Sequence, residues 1–188
     1  MNITGGKYKG QQITAPDENI TRPTLSKIRM SVFNTLQSIM VFDGASFLDS
    51  FSGSGIMGLE ALSRGFSDIV MIEKNKKIHN VIKSNIKKYE KDNSIKLILG
   101  DCIKICQKLD RTFDVIYIDP PYFSGIYESC LDAVSENSGG IVILEHVIDV
   151  DFSGFNIIKQ KKYGDKLITF LAKSQVSAGN KPEIKHFL

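Results

Sequence analysis

Four consecutive residues, Asp119-Pro120-Pro121-Tyr122, set a carboxylate, two stiff imino acids and an aromatic ring directly after the apolar run Phe113 to Ile118. Two prolines cannot continue a strand ladder, and they hold the chain in an extended turn. Such a turn suits chemistry at the exocyclic amine of a nucleic-acid base, a poor nucleophile because its lone pair is delocalised into the ring. Acceptors on both N–H bonds draw that nitrogen toward tetrahedral geometry. Asp119 offers a carboxylate and Pro120 its main-chain carbonyl. Tyr122 can stack on the base and set its plane, a contact worth roughly 1–3 kcal/mol. A methyl donor then only has to be held in line, so positioning supplies much of the catalysis. On its own the motif also fits an ordinary turn after a strand, and its weight comes from what precedes it.

Upstream, Asp49-Ser-Phe-Ser-Gly53-Ser-Gly55-Ile-Met-Gly58 contains G-x-G-x-x-G where a strand-like run gives way to a helical one. Glycines there let the backbone turn sharply and let a ligand approach main-chain atoms. The turn has no lysine and no G-x-x-x-x-G-K-[ST], which excludes a P-loop nucleotide site. Glu73 ends the next apolar run, twenty residues past Gly53. There a carboxylate can accept both hydroxyls of an adenosine ribose, at about 1.5–3 kcal/mol per charge-assisted bond. Asp101 follows the third run in Leu99-Gly100-Asp101, placed to meet an adenine amino group. Asp49, Phe51, Gly53, Gly55, Glu73, Asp101 and Cys102 are therefore the candidate cofactor residues. Either acid alone reads equally as a helix cap; three acids at strand carboxyl ends point to a ligand. NAD and S-adenosylmethionine both present an adenosine. Asp-Pro-Pro-Tyr separates them, because hydride transfer gives it no task, and the expected cofactor is S-adenosylmethionine.

The elements that must position these residues are legible from apolar rhythm. Leu25, Ile28, Val32, Leu36 and Ile39 recur at helical spacing, with Thr24 as candidate N-cap. Strands are expected over Phe47 to Phe51, Ile69 to Glu73, Ile95 to Leu99, Phe113 to Ile118 and Gly140 to Leu144. Helices are expected through Arg64, over Lys74 to Lys91, Cys102 to Leu109 and Tyr127 to Ser135. This alternation predicts an α/β fold with a largely parallel sheet covered on both faces. Phe155 to Tyr163 and Leu167 to Leu171, joined by Gly164-Asp165, read as a closing hairpin whose last strand is antiparallel. Residues 1–23 read as an N-terminal arm or hairpin, 24–173 as the catalytic domain and 174–188 as a polar tail.

At 188 residues the chain has room for one well-buried domain. Its net charge of +3 is too small to announce a nucleic-acid partner, so the placement of charge must carry that argument. Lys7, Lys9, Arg22, Lys27 and Arg29, with Thr24 in the same stretch, are the candidate RNA-binding edge. The lysines of 74–91, opposite an apolar stripe, read as a solvated face, and Lys159, Lys161 and Lys162 as ordinary strand charges. His79, His146 and His186 are scattered, and none is assigned as a base. Cys102, Cys106 and Cys130 have neither disulfide nor zinc spacing, so no metal is expected. The polar start carries no secretory pattern and no apolar run approaches the ~20 residues of a membrane span. A soluble cytoplasmic protein, expected to be monomeric, follows.

Taken together, Arg22-Pro23-Thr24 with Arg29 and Val32-Phe33-Asn34, Leu48-Asp49-Ser50-Phe51-Ser52-Gly53-Ser54-Gly55, Gly58-Leu59-Glu60-Ala61-Leu62-Ser63-Arg64-Gly65, Asp119-Pro120-Pro121-Tyr122 and Tyr163-Gly164-Asp165 resemble the RsmD-type bacterial 16S rRNA (guanine-N2)-methyltransferases. The resemblance runs to about Leu171. It implies a class I methyltransferase sheet with helices on both faces and an antiparallel closing hairpin. It further implies S-adenosylmethionine as cofactor, a guanine N2 of small-subunit ribosomal RNA as substrate, Asp119 to Tyr122 as catalytic, and Gly53, Gly55, Glu73 and Asp101 along the cofactor. Ser50 and Ser52 stand where Leu and Ala are commoner, and Met30 where an acid often follows the arginine. An adenine-N6 methyltransferase and a non-catalytic RNA-binding assembly factor are the alternatives.

Overall fold

The computed structural model describes residues 1–16, 25–92, 94–121 and 126–174. Seven strands form one sheet in the order β3-β2-β1-β4-β5-β7-β6: β1 Ser46–Asp49, β2 Asp68–Glu73, β3 Ile95–Leu99, β4 Phe113–Ile118, β5 Ser138–His146, β6 Phe155–Tyr163 and β7 Lys166–Lys173. The first five pair in parallel, and β7 runs antiparallel to both β5 and β6. The expected α/β class, doubly covered sheet and antiparallel close are all present. Among the described residues no helix is long and apolar enough to cross a membrane.

Successive strand side chains face opposite sides, and each side meets its own helical layer. Phe47, Ile69, Met71, Val115, Tyr117, Ile143 and Phe170 pack on α1 (Ser26–Gln37), α2 (Ile56–Arg64) and α3 (Lys76–Ile86). Leu48, Val70, Ile116, Val142 and Leu171 pack on α4 (Cys102–Cys106) and α5 (Ile126–Ser135). Helix boundaries differ from the periodicity where the chain tightens. The expected helix over Lys74 to Lys91 starts after Asn75, whose Oδ1 accepts the amides of Lys77 and Ile78 at 2.9 and 3.3 Å. It passes into a 3₁₀ turn over Lys87–Asp92. The helix expected to reach Leu109 stops at Cys106, because Lys108 and Leu109 bond three residues back rather than four. Leu25 holds the N-cap position of α1 without a side-chain cap bond, and Thr24 lies outside the described residues.

The first sixteen residues run along α2 and α3. Ile3 and Gln11 bond main chain to main chain, Asn2 and Gln12 form an antiparallel bridge, and Thr14 exchanges two 2.9 Å bonds with Asn85. The far turn of this segment is held by the end of α2. Ser63 Oγ donates to the Gly5 carbonyl at 2.5 Å, accepts the Tyr8 amide at 2.9 Å, and the Ser63 carbonyl takes the Lys7 amide.

α1 is fixed by Phe33, which meets Phe42, Phe47 and Phe66 at 5.9 to 6.5 Å, and by a buried charge cluster. Glu60, fully buried on α2, accepts the Thr4 amide at 2.6 Å and faces Arg29 Nε at 3.4 Å and Arg64 Nε at 3.3 Å. Arg29 also donates to the Asn2 carbonyl at 2.9 Å and to Ser26 Oγ at 3.2 Å. Burial pulls the Arg29 guanidinium below its ordinary pKa, and the Glu60 carboxylate opposes that fall. Removing one member of such a cluster leaves a buried charge without its counter-ion. Glu60→Ala should therefore destabilise the protein by about 3–5 kcal/mol in urea unfolding, whereas a loss under about 1 kcal/mol would show that the cluster holds little.

Candidate active site

The strand order reverses between β1 and β4, and a cavity of about 850 Å³ opens over the carboxyl ends of the strands at that point. Asp49, Phe51, Gly53, Glu73, Asp101, Cys102, Asp119, Pro120 and Pro121 line it. The structure thus brings into one wall every candidate cofactor and catalytic residue except two. Gly55 stands behind the wall as the N-cap of α2, and Tyr122 lies outside the described residues.

The Gly-rich turn is tied to the strands on both sides. Ser50 sends its amide and its hydroxyl to the Tyr117 carbonyl at 3.0 and 2.7 Å, joining the turn to β4. The Ser52 amide reaches the Ile72 carbonyl at 3.0 Å, and the Gly53 amide donates to Glu73 Oε2 at 3.0 Å, joining it to β2. Gly55 adopts a left-handed φ of 78°, and a Cβ there would sit 3.0 Å from Ile82 Cγ2. At Gly58 a Cβ would come within 2.3 Å of Met71 Cε and 3.2 Å of Ile69 Cγ2, so a larger residue there would have to displace the Met71 side chain between α2 and β2.

The acids occupy different settings. Asp49 is buried; Oδ2 accepts the Gly58 amide at 3.2 Å, while Oδ1 has no hydrogen-bond partner among the described residues. Burial pushes its carboxyl up to about 7, against the pull of the Gly58 amide and with help from the charge of Glu73. Glu73 accepts the Asn75 amide at 2.7 Å as well as Gly53, which fixes its plane while each oxygen keeps a further lone pair. Asp101 caps α4 through the Lys104 amide at 3.3 Å and holds Lys74 Nζ at 2.9 Å; the lysine draws its pKa down. Cys102 is a buried wall, 3.7 Å from Cys106 sulfur to sulfur, and that contact together with burial keeps its thiol un-ionised.

Two features of the site lie outside the residues expected from the sequence. The Tyr117 hydroxyl donates to Glu145 Oε2 at 2.9 Å, and Lys166 Nζ bonds Glu145 Oε1, so a buried phenol, acid and amine link β4, β5 and β7 beneath Asp119. Burial first, then the charges of Glu145 and Asp119, hold the Tyr117 phenol well above its usual pKa. The signal was available: an acid after four apolar residues in a buried strand requires a partner. Met1, Ala15 and Pro16 also wall the cavity, which no pattern in the N-terminal stretch announced. His146, also buried, lies between the Ile148 carbonyl at 2.7 Å and Thr169 Oγ1 at 2.8 Å.

The expected RNA-binding edge divides. Lys7 and Lys9 are exposed, but they sit at the turn held by Ser63, at the opposite end of α2 from the cavity. Nine helical residues put them roughly 13 Å away, not at the cavity mouth. Arg29 is only 2% exposed and is committed to Glu60, so it cannot serve a phosphate. Arg22 and Thr24 lie outside the described residues.

Residues 1–172 match the model of a protein family described as conserved hypothetical protein 95. YlbH of Bacillus subtilis (strain 168) is 32% identical over 158 residues, 80% of this chain and 85% of its own length. Ribosomal RNA small subunit methyltransferase D of Escherichia coli (strain K12) is 28% identical over 137 residues, 73% of this chain and 68% of that protein. Among solved structures, yhhF of Escherichia coli superposes with a TM-score of 0.81 at 21% identity, covering 92% of this chain and 97% of that one. The fold is the class I methyltransferase sheet.

Asp49 gives the site a measurable signature. Between the ordinary carboxylate value of 3.8 and about 7 the unfolded chain is ionised at this position while the folded chain keeps its proton. Stability therefore falls as pH rises through that window and levels above it. Asp49→Asn removes the dependence. In ligand-free protein its stability relative to wild type should climb from about pH 4 to about pH 7, by on the order of a few kcal/mol. Parallel stability–pH curves for the two proteins would show that Asp49 is not held protonated.

Proposed function

The chain belongs to the family described as conserved hypothetical protein 95, and on that premise we propose that it is an S-adenosylmethionine-dependent methyltransferase acting on the exocyclic N2 of a guanine in small-subunit ribosomal RNA. The rRNA methyltransferase activity follows from its relatives. The observation that carries the finer reading is the convergence of Asp119 and Pro120 with Asp49, Glu73 and Asp101 on one cavity.

The residues fit the cofactor. Glu73, held in plane by two main-chain amides, offers acceptors for the ribose hydroxyls, and Asp101 offers one for the adenine amine. Asp49 Oδ1, without a partner among the described residues, suits a cationic amino group, which would also complete the carboxylate's solvation. When bound, S-adenosylmethionine supplies an electrophilic methyl group on a sulfonium centre.

The chain's own part is to orient the nucleophile. Asp119 accepts one N–H of the guanine amine and the Pro120 carbonyl the other, which localises the nitrogen lone pair. The two prolines hold these acceptors at fixed separation, and the Ser50–Tyr117 bonds fix them relative to the Gly-rich turn. The methylated amine is strongly acidic, and Asp119 takes its proton. Because acceptor alignment is achieved by a preset backbone, little reorganisation is left for the transition state.

Roles separate in mutants. Asp119→Ala should lower kcat by a factor of 100 or more with the Kd for S-adenosylhomocysteine within about threefold of wild type. Glu73→Ala should raise that Kd tenfold or more, consistent with loss of charge-assisted bonds. Calorimetry and single-turnover methyl transfer measure both. Near-normal turnover by Asp119→Ala would remove the proposed mechanism.

A further inference from the structure

We propose that the RNA backbone reaches the active site along α1 and β6, with Lys27, Lys159 and Lys161 as its phosphate contacts; this rests on the rRNA reading above. Over the whole chain 24 lysines and arginines nearly balance 21 acids. α1 and β6 break that balance, with five basic residues and no acid between them.

The two elements adjoin. Lys161 Nζ donates to Ser31 Oγ at 3.0 Å and Thr35 Oγ1 at 2.7 Å, and the Tyr163 hydroxyl bonds Ser31. Lys27 lies one helical turn before Ser31 on the same face of α1, about 6 Å nearer the catalytic end of the sheet. Lys159 shares the α1-facing side of β6 with Lys161 and Tyr163, since all three pair with β7 residues of that face. Lys27 and Lys159 are exposed, and Lys161 is half-buried. Leu25 at 63% and Met30 at 42% exposure leave apolar surface on α1 beside these charges for a base or ribose. Arg29 is buried, Lys162 points to the other sheet face, and the exposed Asp165 in the β6–β7 turn is the nearest acid in sequence.

Position favours this side. The candidate cofactor acids lie over β1, β2 and β3, so a base brought to Asp119 at the end of β4 must enter from the side of β5, β7 and β6. The lysines of α3 stand instead on the side of β2 and β3, and just outside that helix Lys74 is paired with Asp101 and Lys88 donates to the Gln12 carbonyl.

Binding of 16S rRNA at several KCl concentrations tests the surface, using wild type, K27E/K159E, K7E/K9E and K77E/K83E. K27E/K159E should bind at least tenfold more weakly near 0.1 M salt, with a log–log salt slope shallower by about 1.4–1.8, two contacts at roughly 0.7–0.9 each. Its melting temperature and S-adenosylhomocysteine affinity should be those of wild type, and K7E/K9E should bind RNA within about twofold of it. Wild-type affinity and slope in K27E/K159E, or an equal loss in K77E/K83E, would overturn the proposal. Wild type that binds rRNA through these lysines yet leaves guanine unmethylated would support the surface and remove only the reaction assigned above.

Discussion

Two hydrogen bonds from Ser50 to the Tyr117 carbonyl join the Gly-rich turn of one strand to the strand that carries Asp119. A transfer reaction requires its donor and acceptor pockets to be registered to fractions of an ångström, and in this chain the two are built on different strands. Parallel pairing of β1 with β4 sets the coarse register, Leu48 against Ile116 and Asp49 against Tyr117. Ser50 extends that pairing one step past the end of β1. Beneath it, the Tyr117 phenol is anchored through Glu145 to Lys166, so the same residue is held at its backbone and at its side chain. A leucine at position 50 would keep the amide bond and lose the hydroxyl bond.

The segment Gly58 to Gly65 shows how a recognisable sequence string can be structural rather than chemical. Gly58 admits Met71, Glu60 gathers Arg29, Arg64 and the Thr4 amide, and Ser63 holds the turn at Gly5 and Tyr8. These contacts bring the N-terminal stretch across α2 and α3 until Met1, Ala15 and Pro16 wall the cavity. The same helix begins at the Gly-rich turn and ends on the arm, so it couples the two. A buried charge cluster is costly to assemble, and losing one member leaves the others buried without a counter-charge.

The sheet was legible because each inner strand is a continuous apolar run, which only a doubly covered strand can be. Phe113 to Ile118 coincides with an inner strand, and Ile95 to Leu99 and Phe155 to Tyr163 with the two edge strands. Asp49, Glu73, Asp101 and Asp119 were legible for a related reason: an acid that ends such a run stands at a carboxyl edge. What could not be read was pairing across distance. Arg29 looks like a surface cation until Glu60, thirty-one residues on, is seen to hold it. Lys7 and Lys9 read as part of an RNA-binding edge because they are basic and belong to the N-terminal stretch, but the direction of the arm along α2 carries them to the helix end away from the cavity. Glu145 and Lys166 meet only because β7 turns back against β5.

The account stands most directly on the chemical identity of the product. Tritiated S-adenosylmethionine should be supplied with small subunits and naked 16S rRNA from a strain lacking this gene, and the labelled RNA digested to nucleosides. Label in N2-methylguanosine is the predicted result. Label in N6-methyladenosine, or none in either substrate despite measurable cofactor binding, would contradict it.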